Sequence, residues 1–466
     1  METIKKIHFI GICGTLMGNF ALFLEDKGFI VKGSDSMFYP PISDILESSN
    51  IELFREYDEK NLSWDPDLVV VGNVVSRGNV EAEYTLNNRL NFISLPQLIK
   101  RYMIEKKDSI VISGTHGKTT TSSMIAKLFH DQNYDPSFII GGIPNGFSSG
   151  FRSGKGKMVV LEGDEYDTAF FDKRSKFLHY FPTHLIINNI EFDHSDIFNS
   201  VEDIKRSFKH LVNIVPSNGI IVANGDDKNI VEVVENSHSK VVTFGFGEEN
   251  HWVIRDLVHS QKHTSFDLYK NGDFKDSILV PFSGEYQVMN FTASYILAYY
   301  YGLDRDKTKT SLYSFKNVKR RMEIRGKING ATIIEDFAHH PTAIKSVLKS
   351  LRLGYPNKKI FCCFEPRSNT TVKNIFQESI TEALSLADSV IIGKLNRADL
   401  YKKEDRLDIE KILETLNSEE EKSWHIENVD NIVSKLKLLL DEDYICVVMS
   451  NGSFDGLLNK LIDEKG

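Results

Sequence analysis

The sequence predicts an α/β protein with three domains in series. Its 466 residues are about three times a typical domain length of roughly 150 residues. Short apolar runs alternate with helical segments, which is typical of parallel strands connected by helices. Apolar residues make up 41% of the chain, enough for sizeable cores, so extensive disorder is excluded.

The first domain, residues 1–107, is predicted to be Rossmann-like. Strands are predicted at residues 7–10, 30–32 and 68–71, with a helix at 20–27. The run at 68–71 is wholly apolar and is flanked by Pro66 and Gly72, as expected of a strand covered on both faces. The polar stretch 105–108 is predicted to be the linker that follows.

The second domain, residues 108–322, is predicted to be a P-loop ATPase-like α/β domain. Strands are predicted at 110–112, 158–161, 185–187 and 220–222, and a helix at 119–130. From 241 to 282 the pattern changes to short strands with Gly and Asp turns, and a helix is predicted at 286–301.

The third domain, residues 323–466, is again predicted to be Rossmann-like. Strands are predicted at 333–334, 360–364, 390–392 and 445–449, with a helix at 342–353. The charged stretch 419–422 is expected to be a solvated loop.

The overall composition indicates a cytoplasmic protein that binds neither nucleic acid nor membrane. The formal net charge is −9, whereas a protein that coats nucleic acid needs a large excess of Lys and Arg. No signal peptide and no run of about 18 apolar residues is visible. The four cysteines have no zinc-site spacing and suit a reducing compartment. A monomer or weak homodimer is expected.

The clearest motif is a glycine loop between a predicted strand and a predicted helix. It reads Gly114-Thr115-His116-Gly117-Lys118-Thr119-Thr120. Such a loop turns backbone N–H groups toward phosphate, and the helix N-terminus adds positive charge. Lys118 can contact the β- and γ-phosphates, and Thr119 can offer its hydroxyl to Mg²⁺. The longer G-x-x-x-x-G-K-S/T pattern is not met, so a glycine-rich turn with a chance lysine is the alternative.

Acidic and histidine residues follow two further predicted strands of the second domain. Four carboxylates lie in residues 162–167, and an Asp-His pair stands at 193–194. One of the four carboxylates can hold Mg²⁺, and the Asp-His pair can bind metal or move protons. Polar surface loops are the alternative. Because carboxyl ends of parallel strands share one sheet edge, the glycine loop, Glu162 and His194 are expected at one site.

A weaker glycine loop follows the first strand. Gly11, Cys13, Gly14 and Thr15 resemble a dinucleotide fingerprint, with Asp35 after the second strand. The G-x-G-x-x-G spacing fails. The loop favours a diphosphate-bearing ligand over a redox cofactor, and an NAD-dependent oxidoreductase remains the competing enzyme class.

Two motifs of the third domain also follow strands. Residues 335–341 carry two histidines before Pro341, which suits the first position of a helix. They can contact a nucleotide ribose or phosphate, or simply cap the helix. They can also be metal ligands, although two adjacent histidines are awkwardly placed to share one ion. Residues 364–370 include Arg367, which can clamp a substrate carboxylate with two hydrogen bonds, unless the segment is an exposed turn.

Together these motifs resemble the Mur ligase family of ATP-dependent amide ligases in peptidoglycan metabolism. The resemblance covers the whole chain. The segments that match the branch acting on UDP-N-acetylmuramate are 114–120, 189–194 and 336–341. Those more similar to members that ligate the tripeptide L-alanyl-γ-D-glutamyl-meso-diaminopimelate in recycling are 11–15, 34–41, 76–79, 170–175, 365–370 and 449–452. Ligation of L-alanine in biosynthesis is the alternative within the family.

The resemblance implies ATP as co-substrate and Mg²⁺ or Mn²⁺ as cofactor. The catalytic residues implied are Lys118, Glu162 and His194, and the metal ligands are Thr119, Glu162 and His194. The implied ATP-binding residues are Gly114, Thr115, His116, Gly117, Lys118, Thr119, Thr120, Asn290, Arg321, Asp336 and His340. UDP-N-acetylmuramate would bind at Gly11, Cys13, Gly14, Thr15, Asp35 and Ser76, and the tripeptide at Arg367, Ser368 and Asn369.

Two positions bear on these roles. The family's His-Asn pair before Asn290 reads Tyr286-Gln287 here, which affects the adenine contact. Lys209 lies near the place where some members carry a carbamylated lysine, but this branch generally manages without one. A nucleotide-regulated binding protein without ligase chemistry is a further alternative.

Overall fold

A computed structural model of the protein describes residues 4–260 and 263–462. Residues 1–3 and 463–466, at the ends of the predicted first and third domains, lie outside these ranges. In the described part, no helix is long and apolar enough to cross a membrane. The predicted fold class is confirmed, since three separate α/β units follow one another along the chain. Each unit is a β-sheet with its own helices and is called a layer below.

The first layer is a five-stranded parallel sheet in the order β3-β2-β1-β4-β5. Its strands are β1 Lys6–Ile10, β2 Ile30–Ser34, β3 Glu52–Phe54, β4 Leu68–Val71 and β5 Phe92–Ser94. Its helices are α1 Thr15–Asp26, α2 Ile42–Glu47, α3 Val80–Asn87 and α4 Leu95–Ile99. All four residues of β4 are buried, as its unbroken apolar run predicts.

The central layer is a ten-stranded mixed sheet in the order β17-β16-β15-β14-β13-β12-β6-β9-β7-β8. The strands are β6 Asp108–Ser113, β7 Ser137–Ile139, β8 Phe151–Arg152, β9 Met158–Gly163, β12 His184–Ile187, β13 Ile220–Asn224, β14 Lys240–Gly245, β15 Trp252–His259, β16 Thr264–Lys270 and β17 Asp273–Val280; β10 Asp167–Ala169 and β11 Asp172–Ser175 form a separate hairpin. The helices are α5 Lys118–Asp131, α6 Val201–Asn213, α7 Lys228–Val234, α8 Glu285–Tyr301 and α9 Arg305–Tyr313.

Strands β12, β6 and β9 are neighbours and run parallel, so their carboxyl ends lie at one edge. Their side chains alternate between two cores. Val111 of β6 packs into one apolar cluster, whereas Ile110 and Ile112 pack into another on the opposite face. Both faces of the sheet are therefore covered, which leaves its carboxyl edge as the place where a ligand can bind.

The third layer is a six-stranded sheet in the order β18-β19-β23-β20-β21-β22. Its strands are β18 Glu323–Ile328, β19 Ala331–Asp336, β20 Lys359–Phe364, β21 Ser389–Ile392, β22 Ser423–His425 and β23 Tyr444–Met449. Its helices are α10 Pro341–Gly354, α11 Gln377–Leu384, α12 Ile409–Leu416, α13 Val429–Leu439 and α14 Leu457–Ile462. Only β18 pairs antiparallel, with β19.

Aromatic contacts join the first layer to the central one. The rings of Phe20 and Phe23, both on α1, meet Phe151 edge-on at centroid distances of 6.0 and 5.9 Å. Phe92 of β5 meets Phe171, in the turn between β10 and β11, at 4.9 Å. Such edge-to-face aromatic pairs contribute about 0.5–1.5 kcal/mol each beyond their buried area, so they help to hold the two layers together.

Candidate active site

The glycine loop connects β6 to the first residue of α5. Gly114 and Gly117 have φ angles of +138° and +82°, which side chains rarely adopt. The loop is fixed to the segment after β12, because Thr115 N donates to Asn189 O at 3.0 Å and His116 N donates to Asn189 Oδ1 at 2.7 Å. The N-terminus of α5 therefore has a defined position at the sheet edge.

Lys118 lies at the centre of a buried ion network. Its Nζ is 2.9 Å from Glu165 Oε2, and Glu165 Oε1 lies 3.1 Å from His194 Nε2. Burial alone would lower the pKa of Lys118, but the carboxylates of Glu165, Asp164 and Glu162 raise it. Burial would likewise raise the pKa of Glu165, but Lys118 and His194 lower it. The lysine is therefore a permanent positive charge at this edge of the sheet.

Thr119 and Glu162 form a second contact beside that network. Thr119 Oγ1 donates to Glu162 Oε1 at 2.8 Å, and Gly141 N donates to Glu162 Oε2 at 2.7 Å. A hydroxyl and a carboxylate are the oxygen donors that Mg²⁺ prefers. These two residues therefore fit a magnesium ion, whereas the third predicted ligand, His194, contacts Glu165 here.

The residues predicted at the nucleotide lie on two layers. Asn290 is buried on α8, with its Oδ1 3.4 Å from Asn188 Nδ2, and Asn188 Oδ1 is buried without a hydrogen-bond partner. Arg321 stacks on the ring of Phe337 at 4.8 Å. Asp336 and His340, which are also predicted at the nucleotide, make structural contacts with the protein itself.

Asp336 and His340 organise the chain between β19 and α10. Asp336 accepts backbone N–H groups of Met322 and Ala338 at 2.8 and 2.7 Å, and burial raises its pKa. His340 is the residue before the first turn of α10, which begins at Pro341 as predicted. Its Nδ1 is 3.2 Å from His116 Nε2, so it joins the third layer to the glycine loop.

A cavity of about 370 Å³ lies between the central and third layers. Its lining includes the three residues predicted to bind peptide, which are Arg367, Ser368 and Asn369. His194 and Arg397 also line it. Arg397 Nη1 donates to Asn369 Oδ1 at 3.0 Å, so a second guanidinium stands in the same cavity.

The residues predicted to bind the UDP-sugar lie on the first layer. Gly11 has a φ angle of +85°, and Cys13 N donates to Asp35 Oδ2 at 2.9 Å. Burial and the charge of Asp35 raise the pKa of the Cys13 thiol to about 12. Gly14 is half-buried, and Thr15 begins α1. Ser76 is exposed beyond the end of β4.

Local sequence did not predict the contacts of Glu165 and Asp193, and it did not identify Arg397 as a residue of the site. Glu165 lies in the acidic stretch that the motif search identified, but its pairing with Lys118 depends on the course of the loop after β9. Asp193 accepts a hydrogen bond from Thr370 Oγ1 at 2.9 Å across the layers. Arg397 lies in the loop after β21, where no pattern marks it. Lys209 instead pairs with Glu232 at 2.8 Å on the surface.

We expect Gly117→Ala to impair both stability and nucleotide binding. A Cβ at Gly117 would lie 2.5 Å from Asn290 Oδ1. Gly28→Ala is the matched control, because φ at Gly28 is +86° but no atom lies within 4 Å of the added carbon. Both variants carry backbone strain of about 1 kcal/mol.

Denaturant unfolding and the KM for ATP separate these contributions. The control should lose only the strain energy and keep its KM, whereas Gly117→Ala should lose more stability and raise the KM at least about tenfold. Equal behaviour of the two variants would show that the loop does not approach Asn290 as described.

Family profiles match all three layers of the chain. Residues 6–107 match the Mur ligase family catalytic domain, 112–298 the Mur ligase middle domain and 320–452 the Mur ligase glutamate ligase domain. These matches agree in order with the three α/β layers described above.

Relatives are similar over nearly the whole chain. A UDP-N-acetylmuramate–L-alanyl-γ-D-glutamyl-meso-2,6-diaminoheptandioate ligase of Escherichia coli is 37% identical, over 98% of each chain. The ligase of the same name from Haemophilus influenzae is 35% identical, over 99% of each chain. A UDP-N-acetylmuramate–L-alanine ligase of Clostridium acetobutylicum is 31% identical, over 96% of this chain and 95% of the relative. The crystal structure of a murein peptide ligase from Psychrobacter arcticus has a TM-score of 0.69 and 31% identity, covering 98% of both chains.

Proposed function

This chain belongs to the Mur ligase family, and we propose that it joins UDP-N-acetylmuramate to L-alanyl-γ-D-glutamyl-meso-diaminopimelate with hydrolysis of ATP. The observation that carries the proposal is the identity of 37% and 35% to two ligases named for this tripeptide. The identity to the L-alanine ligase of C. acetobutylicum is lower, at 31%. The reaction would return a recovered peptide to peptidoglycan precursors in the cytoplasm.

The site has the groups that amide formation from a carboxylate requires. A carboxylate is a poor electrophile, because its charge is delocalised and oxide is a poor leaving group. Transfer of the γ-phosphoryl group of ATP to the muramoyl carboxylate gives an acyl phosphate and ADP. The peptide amine then attacks the carbonyl carbon, loses a proton, and phosphate leaves with the C–O bonding pair.

Lys118 is placed to neutralise charge during phosphoryl transfer. The reacting carboxylate and the γ-phosphate are both anions, so their approach needs a fixed positive charge. Lys118 is buried beside Glu165 at the N-terminus of α5. An incoming phosphate can replace Glu165 as the partner of the ammonium, because both present anionic oxygens. The ammonium of Lys118 would then keep an anionic oxygen as its partner throughout the exchange.

Thr119 and Glu162 would hold the magnesium ion, with His194 as the third ligand implied by the family. When bound, the ion supplies further charge neutralisation at the phosphates. The contact between Thr119 Oγ1 and Glu162 Oε1 already places two oxygen donors side by side. His194 would exchange its contact with Glu165 for the ion.

The cavity between the central and third layers is proposed as the tripeptide site. Arg367 and Arg397 both line it, and each guanidinium can bind a carboxylate with two hydrogen bonds. The tripeptide has several carboxylates, whereas L-alanine has one, so a second arginine favours the longer substrate. His194 also lines this cavity and so connects it to the proposed phosphoryl-transfer site.

The proposed domain roles follow from these placements. Residues 1–107 would bind UDP-N-acetylmuramate, 108–322 ATP and metal, and 323–466 the peptide. Gly11, Cys13, Gly14, Thr15 and Asp35 cluster at the carboxyl ends of β1 and β2, where a parallel sheet binds nucleotides.

Product analysis tests the proposed reaction. Incubation with ATP, Mg²⁺, UDP-N-acetylmuramate and the tripeptide should release one ADP for each amide formed. Mass spectrometry should detect a product equal to the two substrates minus one water. ADP release without that product would indicate a nucleotide hydrolase and contradict the proposal.

A further inference from the structure

We propose that His116, Glu191 and His340 form a second metal site, for a divalent ion of the Zn²⁺ class, between the central and third layers. His116 is in the glycine loop, Glu191 follows β12, and His340 precedes α10. Within residues 4–260 and 263–462, this is the single group of three His, Cys, Asp or Glu side chains whose ligand atoms all lie within 4.8 Å of one another. It is distinct from Thr119, Glu162 and His194.

The distances within the group fit a small tetrahedral ion. His116 Nε2 lies 3.2 Å from His340 Nδ1, and Glu191 Oε2 lies 3.7 and 3.6 Å from those two nitrogens. Zinc bonds of about 2.0–2.1 Å place tetrahedral ligands about 3.3–3.4 Å apart. Small side-chain shifts therefore suffice for all three atoms to reach one ion.

The surrounding hydrogen bonds orient two of the three ligands. His340 Nε2 lies 3.2 Å from Phe192 O, and since a carbonyl only accepts, the proton of this ring is on Nε2. His340 Nδ1 then carries the lone pair, which accepts the Thr342 N–H at 3.4 Å and would exchange this contact for the ion. Thr342 Oγ1 donates to Glu191 Oε2 at 2.6 Å. Outer hydrogen bonds of this kind are typical of metal-binding histidines and carboxylates.

The charges of these groups also suit a metal ion. Burial and the neighbouring His116 lower the pKa of His340, so its imidazole is neutral near pH 7. Burial opposes ionisation of Glu191, but the hydrogen bond and charge of His116 lower its pKa below the ordinary value. The group therefore offers a neutral imidazole and a carboxylate without prior deprotonation.

The donor set selects the class of ion. Two imidazoles and one carboxylate suit Zn²⁺ and similar ions, whereas Mg²⁺ prefers oxygen donors alone. Three protein ligands leave a fourth position for water. The side chain of Glu191 is 32% exposed, so an ion can enter from solvent.

An ion at this site would connect two layers of the protein. It would link the glycine loop and the segment after β12 to the start of α10. Because His116 and His340 belong to different layers, the bound ion would stabilise their present arrangement. Because His116 and His340 are also predicted to bind ATP, we expect Zn²⁺ to slow turnover even when Mg²⁺ is saturating.

Direct binding measurements test the site without relying on activity. Zn²⁺ is titrated calorimetrically into the full-length protein with excess Mg²⁺ and no nucleotide, and Co²⁺ absorption reports four-coordinate geometry. The variants are Glu191→Gln, which removes a ligand, and Thr342→Val, which removes only its supporting hydrogen bond. Glu162→Gln is the control for the proposed magnesium site. Circular dichroism checks the fold of each variant.

We expect one equivalent of Zn²⁺ to bind and Co²⁺ to give intense visible absorption. Glu191→Gln should weaken binding at least about a hundredfold and Thr342→Val about tenfold, while Glu162→Gln should leave it unchanged. Absence of Zn²⁺ binding to the wild-type protein would overturn the proposal. Binding that persists in both Glu191→Gln and Thr342→Val, or that is lost in Glu162→Gln, would also overturn it.

Discussion

Lys118→Ala is expected to reduce turnover at least about a thousandfold, because it removes the fixed positive charge that the glycine loop would present to the transferred phosphoryl group. The Nζ of Lys118 contacts Gly114 O at 2.7 Å and both oxygens of Glu165. An alanine would remove the charge together with these contacts and leave His194 as the remaining ionic partner of Glu165, so circular dichroism checks the fold of the variant. ADP release under saturating substrates measures the effect.

Lys127→Ala is the matched control for this variant. Lys127 lies on the same helix, and its Nζ pairs with Asp131 at 2.6 Å on the outer face. Its activity should stay within about twofold of the wild type, since a surface ion pair contributes only about 0–1 kcal/mol. A folded Lys118→Ala protein with activity within tenfold of the wild type would refute the role of the loop.

Glu162→Gln is expected to lower turnover about a hundredfold or more and to raise the Mg²⁺ concentration needed for half-maximal activity. Glutamine keeps one oxygen to accept the N–H of Gly141 or the hydroxyl of Thr119, so the local fold should persist. The loss of negative charge should weaken metal binding. A magnesium titration of the steady-state rate measures both effects.

Glu248→Gln controls for the loss of one carboxylate elsewhere. Glu248 pairs with Arg255 near the start of β15, on the exposed surface. The magnesium dependence of this variant should match the wild type. If Glu162→Gln gives the same magnesium curve as Glu248→Gln, then Glu162 is not a metal ligand.

The core strands could be predicted because their sequences are locally distinctive. The run at 110–112 became β6, which is three residues longer, and the run at 360–364 became β20, which is one residue longer. The hairpin strand β11 was missed, since Asp172–Ser175 is polar and becomes a strand only by pairing with β10. Pairing between distant segments has no local pattern to reveal it.

The candidate site could be predicted in part, for a physical reason. Because β6, β9 and β12 are parallel neighbours, their carboxyl ends bring Lys118, Glu162 and His194 to one edge, as the motif positions indicated. The contacts of Glu165 and Arg397 depend on loop paths, which local sequence does not determine.

The choice of amine substrate tests the central claim most directly. ADP release is measured with UDP-N-acetylmuramate, ATP and Mg²⁺ while either the tripeptide or L-alanine is varied. We predict a kcat/KM for the tripeptide at least about a hundredfold above that for L-alanine, because the tripeptide has a carboxylate for each of Arg367 and Arg397, whereas L-alanine has one carboxylate. An equal or higher kcat/KM for L-alanine would contradict the account and assign the chain to the L-alanine ligases.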